Sequence, residues 1–206
     1  MFAQALAQTP ITDIHTHLYP PGFGELLLWG IDELLTYHYL VAETMRLVDM
    51  DTASFWRLSK REQANLVWQT LFLDRSPISE ACRGVLTCLE KLGLDLESRN
   101  LDEYRAYFAS FTPQEYVNKV LETSNVKTVV MTNDPFDLQE RNFWEKGGVV
   151  DDPRFRSVLR LDPLLVTTPH GIATLRQLGY NVDSGLGQDT LSEVRRFLKD
   201  WLGKMD

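Results

Sequence analysis

Cysteine is nearly missing from this chain: 206 residues carry two, Cys82 and Cys88. Both fall in one helical pattern, where six residues separate them by about 9 Å of rise and put them on different faces, too far for a disulfide. A disulfide-stapled scaffold is excluded, and reduced thiols in a cytoplasmic protein are expected. Basic charge is also short, with 21 Lys and Arg against 29 Asp and Glu and a net charge of −8. That balance argues against nucleic acid and against an anionic membrane surface as partners. No apolar run approaches the ~18 residues that a membrane span needs. Residues 1–10 have neither a basic nor an apolar signal-peptide segment. No repeat of fixed period and no low-complexity tract occurs. What remains, 206 residues at 44% hydrophobic, suffices for one sizeable core.

Histidine is scarce too, four in all, and two of them stand together in Ile11-Thr12-Asp13-Ile14-His15-Thr16-His17-Leu18. Residues 12–17 read as a short strand. Side chains at i and i+2 of a strand share a face, so His15 and His17 could grip one transition metal, zinc being the commonest choice. The plain alternative is a solvated or packed pair.

A helical region follows over residues 25–110. Ser59-Lys60-Arg61-Glu62 is a capping box, Ser76-Pro77 reads as a helix opening, Gly93 as its stop, and Asn100 as a further cap. Thr112-Pro113-Gln114-Glu115 starts a helix to about Thr123. The period then changes: residues 126–132 form a β-branched run read as a buried strand, ended by the turn Asn133-Asp134-Pro135. A helix over 137–146 stops at Gly147-Gly148, and a third strand covers 155–161. Thr168-Pro169 opens a helix ending near Gly179, and Thr190-Leu191-Ser192-Glu193 reads as a last capping box. Strands alternating with helices predict parallel βαβ units, an α/β class.

In parallel α/β folds, ligands bind at the C-terminal ends of strands. Three groups fall there: His15 with His17, Asn133 with Asp134, and Arg160 with Asp162. Each has a bland reading as well, namely turn chemistry for Asn133-Asp134-Pro135 and a surface cation for Arg160. Arginine beside a proposed metal suits a carboxylate, which its planar fork holds bidentately. Tyr37-His38-Tyr39 lies in the helical region, where packing competes with function. His170 reads as a first-turn or solvated residue.

The chain resembles the uronate isomerases of the amidohydrolase superfamily. The resemblance rests on Asp13-Ile14-His15-Thr16-His17-Leu18-Tyr19-Pro20, on His38-Tyr39 followed by Met45-Arg46, on residues 129–137, and on Val158-Leu159-Arg160-Leu161-Asp162-Pro163. It departs where the family often has Thr-Thr-Asp-Asp-Pro and this chain has Met131-Thr132-Asn133-Asp134-Pro135. It departs again where the family has Arg-Pro-Asp and this chain has Arg160-Leu161-Asp162. The resemblance implies a (β/α)₈ TIM-type barrel, here only its first three βα units, with a large helical insertion after strand one, about residues 23–111. It further implies a cytoplasmic enzyme of carbohydrate catabolism that interconverts uronic acids with keto-uronates and leaves a homo-oligomer open. His15 and His17 would bind a divalent metal, zinc by type. His38 and Tyr39 would be catalytic, and Arg160 would bind the substrate.

A full barrel takes about 250 residues without insertions, so residues 1–206 are expected to be the N-terminal portion of a metal-dependent barrel domain. The family's late metal-ligating aspartate has no counterpart here. Two competing readings remain: a metal-dependent hydrolase of the same superfamily, and a non-catalytic fragment that needs a partner half.

Overall fold

The computed structural model describes residues 5, 8–16, 18–166, 168–184 and 187–206. It divides into two compact units, Leu28–Thr123 and the remainder, Met1–Leu27 with Ser124–Asp206.

The discontinuous unit is built on a parallel sheet. Strands β1 (Ile11–Thr16), β2 (Val126–Asn133) and β3 (Phe155–Leu159) lie in the order β1-β2-β3. The expected parallel α/β arrangement is therefore present as a three-stranded open sheet. In β2, Val129, Met131 and Asn133 are buried while the residues between them are half-buried, the period-2 signature of a strand covered on one face. Val129 stands beside Phe155, so the buried face continues into β3. The β1–β2 register is less regular. Asp13 lies opposite Val129 and Thr16 opposite Met131, which leaves Ile14 and His15 together facing one residue of β2. Two residues against one is a bulge. His17, expected to share a face with His15, lies outside the described residues.

Three sequence expectations in this unit need correction. The third strand ends at Leu159, not 161: the Arg160 N–H still donates to the Asn133 carbonyl at 2.8 Å, but Pro163, in the first turn of the short helix Asp162–Leu165, starts a new element at once. The last helix runs Gln188–Met205 with Gly187 at its cap, so Thr190-Ser192-Glu193 is no capping box. Thr190 is buried inside the helix, its hydroxyl donating to Asp183 Oδ1, and Glu193 reaches back to the Asn181 N–H. The second strand extends one residue further, to Asn133. The helix after β2 spans Leu138–Glu145 with Asp137 as its cap. It stops as expected at Gly147, whose φ of +76° a side-chain-bearing residue rarely adopts.

The unit Leu28–Thr123 is all helical. Ile31, Leu35, Val67, Trp68, Cys82, Val85, Leu89, Tyr104 and Phe108 form its core. Cys82, Val85 and Leu89 are buried at the i, i+3, i+7 spacing of one helix face on Glu80–Lys91, and Cys88 is exposed, so the two thiols are free. That helix starts at Ser79, whose hydroxyl accepts from the Cys82 N–H; Ser76-Pro77 precedes it rather than opening it. The box at Ser59 and Glu62 forms in both directions, and Asn100 caps Leu101–Ala109.

Candidate functional site

Three strand ends open onto one cavity of about 670 Å³ in the sheet-bearing unit. From β1 come His15 and Thr16, from β2 Thr132 and then Asp134, and after β3 Arg160 and Asp162. Chain order alone scatters these residues; the parallel ladders bring them together, because every strand of a parallel sheet ends on the same side. The structure thus places His15, Asp134, Arg160 and Asp162 around one space.

Arg160 follows the last ladder bond of β3, and its Nε donates to Asp162 Oδ2 at 2.5 Å. Both side chains are about half exposed, 47% and 58%. An ion pair that open to water contributes little, so the guanidinium can exchange Asp162 for a ligand carboxylate at small cost. Asp134 makes the turn that its sequence predicts: its Oδ1 accepts the Phe136 N–H at 2.9 Å.

The remaining wall was not found from sequence. It is made by Tyr19 and Leu26, by the cap Asp137, and by Gln139 and Glu140 in the first turn of the helix Leu138–Glu145. Glu140 is 2% exposed and accepts from four donors. Asn133 Nδ2 donates at 2.6 Å and Trp144 Nε1 at 3.4 Å to Oε1; the Asp134 N–H donates at 2.9 Å and the Tyr19 hydroxyl at 3.3 Å to Oε2. Burial pushes the Glu140 pKa up, and the four donors only partly offset this. Burial, and then the Glu140 charge, likewise raise the Tyr19 phenol well above the ordinary tyrosine range. A faint signal existed, since Asp137 and Glu140 have the spacing of a cap and its N3 partner. A capping glutamate returns to the cap's own N–H at the surface. Here Asp137 N–H is taken by the Asp134 carbonyl, and Glu140 reaches past it to the strand end.

The donor set suits a divalent ion in kind, with an imidazole at His15 and carboxylates across the cavity. It is not complete in number: among the described residues no group of three or more His, Cys, Asp or Glu is placed to hold a metal ion. His38 and Tyr39 belong to the helical unit. They form the first turn of the helix His38–Met45, both exposed, with ring centroids 4.2 Å apart. His170 is exposed in the first turn of Thr168–Gln177. Among the described residues, no helix is long and apolar enough to cross a membrane.

A second cavity, about 360 Å³, lies within the helical unit, and its cations are matched by carboxylates. Lys60 pairs with Glu33, Arg61 with Asp102, and Arg105 with Asp32 and Asp102. With its charges matched internally, it has no evident call on a charged ligand.

No family model and no curated protein matches the chain. A solved structure does: a uronate isomerase from Bacillus halodurans C-125 is 55% identical, superimposes with a TM-score of 0.93, and aligns over 98% of this chain and 48% of its own. The chain therefore spans about half the length of that relative. The similarity to a uronate isomerase, expected from the histidine pair, His38-Tyr39 and Arg160, thus extends along nearly all of this chain.

Proposed function

We propose that this chain is part of a uronate isomerase interconverting hexuronates and keto-uronates of the glucuronate–fructuronate type, and that it supplies the strand-end wall of the substrate site. The observation that carries this is the meeting of His15 and Arg160 in one cavity, within a chain 55% identical to a uronate isomerase.

The reaction moves a proton between C2 and C1 through an enediol, whose developing oxyanion needs stabilising charge. Arg160 holds the substrate carboxylate with its planar fork and so orients the carbon chain. Asp162, its present partner, holds the guanidinium near the cavity until the substrate arrives. His15 and His17 are the ligands this chain offers a divalent cation, zinc by donor type; when bound, it supplies Lewis-acid polarisation of the substrate oxygen. The cavity wall carries Asp134, Asp137, Glu140 and Asp162 against His15 and Arg160. That surplus of negative charge would repel a uronate unless a cation offset it. His38 and Tyr39, in the helical unit, are the side chains that the uronate isomerase resemblance assigns to hydrogen-bond donation or proton transfer in this reaction.

The test is direct. The gene product carrying this chain is incubated with glucuronate and galacturonate, with and without chelator, and the keto product is followed. Turnover abolished by chelator and by His15→Ala is the expected result; no turnover, or turnover indifferent to His15→Ala, sinks the proposal.

A further inference from the structure

We infer that Glu140 is a positioning residue of this site, one whose buried carboxylate sets where Asp134 and the Tyr19 phenol stand in the cavity. The inference rests on the isomerase reading and adds to it a residue that touches no substrate.

The chemistry of its surroundings selects a carboxylate. Four groups point hydrogens at Glu140: the Asn133 amide, the Trp144 indole, the Asp134 backbone N–H and the Tyr19 hydroxyl. An ionised carboxylate accepts on both oxygens and has no proton of its own to set against a donor. The short contact from Asn133 also fixes that amide's orientation, because the flipped amide would set oxygen against oxygen. Glutamate at the third position of a helix is favoured further by the positive end of the helix dipole.

The connections give the network its function. Asn133 is the last residue of β2 and Asp134 the first beyond it. Tyr19 follows β1, and its hydroxyl bonds Glu140 across 121 residues of sequence. One side chain thus ties the ends of two neighbouring strands to the helix that follows the second. Asp134 and Tyr19 both line the cavity that contains Arg160. Glutamine at this position keeps an acceptor for Asn133 and Trp144 but sets an NH₂ against the Asp134 N–H and the Tyr19 hydroxyl. The strand end must then shift, and a shift of about 1 Å in a reacting group can cost on the order of 100-fold in rate. Substrate capture by Arg160, just beyond β3, is not directly touched.

The test uses Glu140→Gln, Tyr19→Phe and the double variant in the gene product carrying this chain, with uronate turnover measured over a full substrate range. The expected result is a kcat about 10- to 100-fold lower in E140Q with KM within about threefold. The double variant should lose less than the product of the two single losses, because both act through one contact. A wild-type kcat in folded E140Q, or strictly multiplicative losses, overturns the inference. If E140Q lacks native near-ultraviolet dichroism, Y19F decides: a kcat reduced severalfold at unchanged KM supports the inference, and a wild-type kcat overturns it. A wild-type protein that isomerises no uronate overturns the parent reading and this one with it; active wild type with unaffected variants overturns this one alone.

Discussion

At the scale of single residues, two carboxylates respond to pH in opposite directions. Burial raises Glu140 above the ordinary glutamate value of 4.5. A raised carboxylate binds its proton more tightly in the folded state, so its contribution to stability is full below the unfolded value and is lost as pH rises through the folded one. Asp152 is the reverse case, held low by the Arg154 guanidinium that it pairs with. Its contribution is present above the ordinary aspartate range and is lost as pH falls through its lowered value. Urea unfolding from pH 3 to 7 checks both signs. The stability of wild type relative to E140Q should fall as pH rises above 4.5, and that relative to D152N should fall as pH drops below the aspartate range. Arg160 makes a prediction of another kind. Arg160→Lys keeps the charge and loses the fork, so KM for a uronate should rise about tenfold, the order expected from a lost charge-assisted bond. Steady-state kinetics would read it, and an unchanged KM would remove Arg160 from the carboxylate.

At the scale of elements, the local code is strong and can be tested one cap at a time. The Ser59–Glu62 box closes both ways, Ser59 Oγ receiving the Glu62 N–H and Glu62 Oε2 receiving the Ser59 N–H. Ser59→Ala should cost about 1 kcal/mol, read as a lower urea midpoint at unchanged slope. Gly148 is constrained by its neighbour rather than by its own backbone. A Cβ there would come within 2.6 Å of the Phe143 ring, which is itself stacked on Phe23 at 3.9 Å. Gly148→Ala should therefore destabilise by about 1–3 kcal/mol, the usual range for overpacking; a variant as stable as wild type would mean the aromatic stack gives way freely. These elements were legible because their causes lie within four residues. The box at Ser59, the cap at Asn100 and the stop at Gly147 are local chemistry, and the structure keeps them. Thr190 misled for the same reason: its pattern is local, but its hydroxyl is taken by Asp183.

At the scale of the whole molecule, the sheet is open. Among the described residues β1 and β3 each pair with one strand only. Ile14 is 77% exposed and Val158 41% exposed on these edge strands. Unpaired edges carrying apolar side chains invite pairing with another chain. The isolated 206-residue chain should bind a hydrophobic dye and self-associate on size exclusion, and Ile14→Lys with Val158→Lys should reduce both. A compact, dye-silent monomer would show that the edges are protected.

The sequence by itself determined the α/β class, the order of the three strands and of the longer helices between them, and the three strand ends that meet at one cavity. Hydrophobic period, caps and turn residues are properties of neighbours along the chain, and His15, Asp134 and Arg160 announced themselves by position in that order. Tertiary structure alone decided how those ends are built. The bulge at Ile14 and His15 arises from the register between strands more than a hundred residues apart. Glu140 became the centre of the site's wall because β1, β2 and the following helix deliver four donors to one buried carboxylate. Two of those donors reach Glu140 across the turn after β2, Trp144 lies one helical turn on, and Tyr19 lies 121 residues away; the path of a turn and the return of a distant segment leave no periodic trace in a sequence.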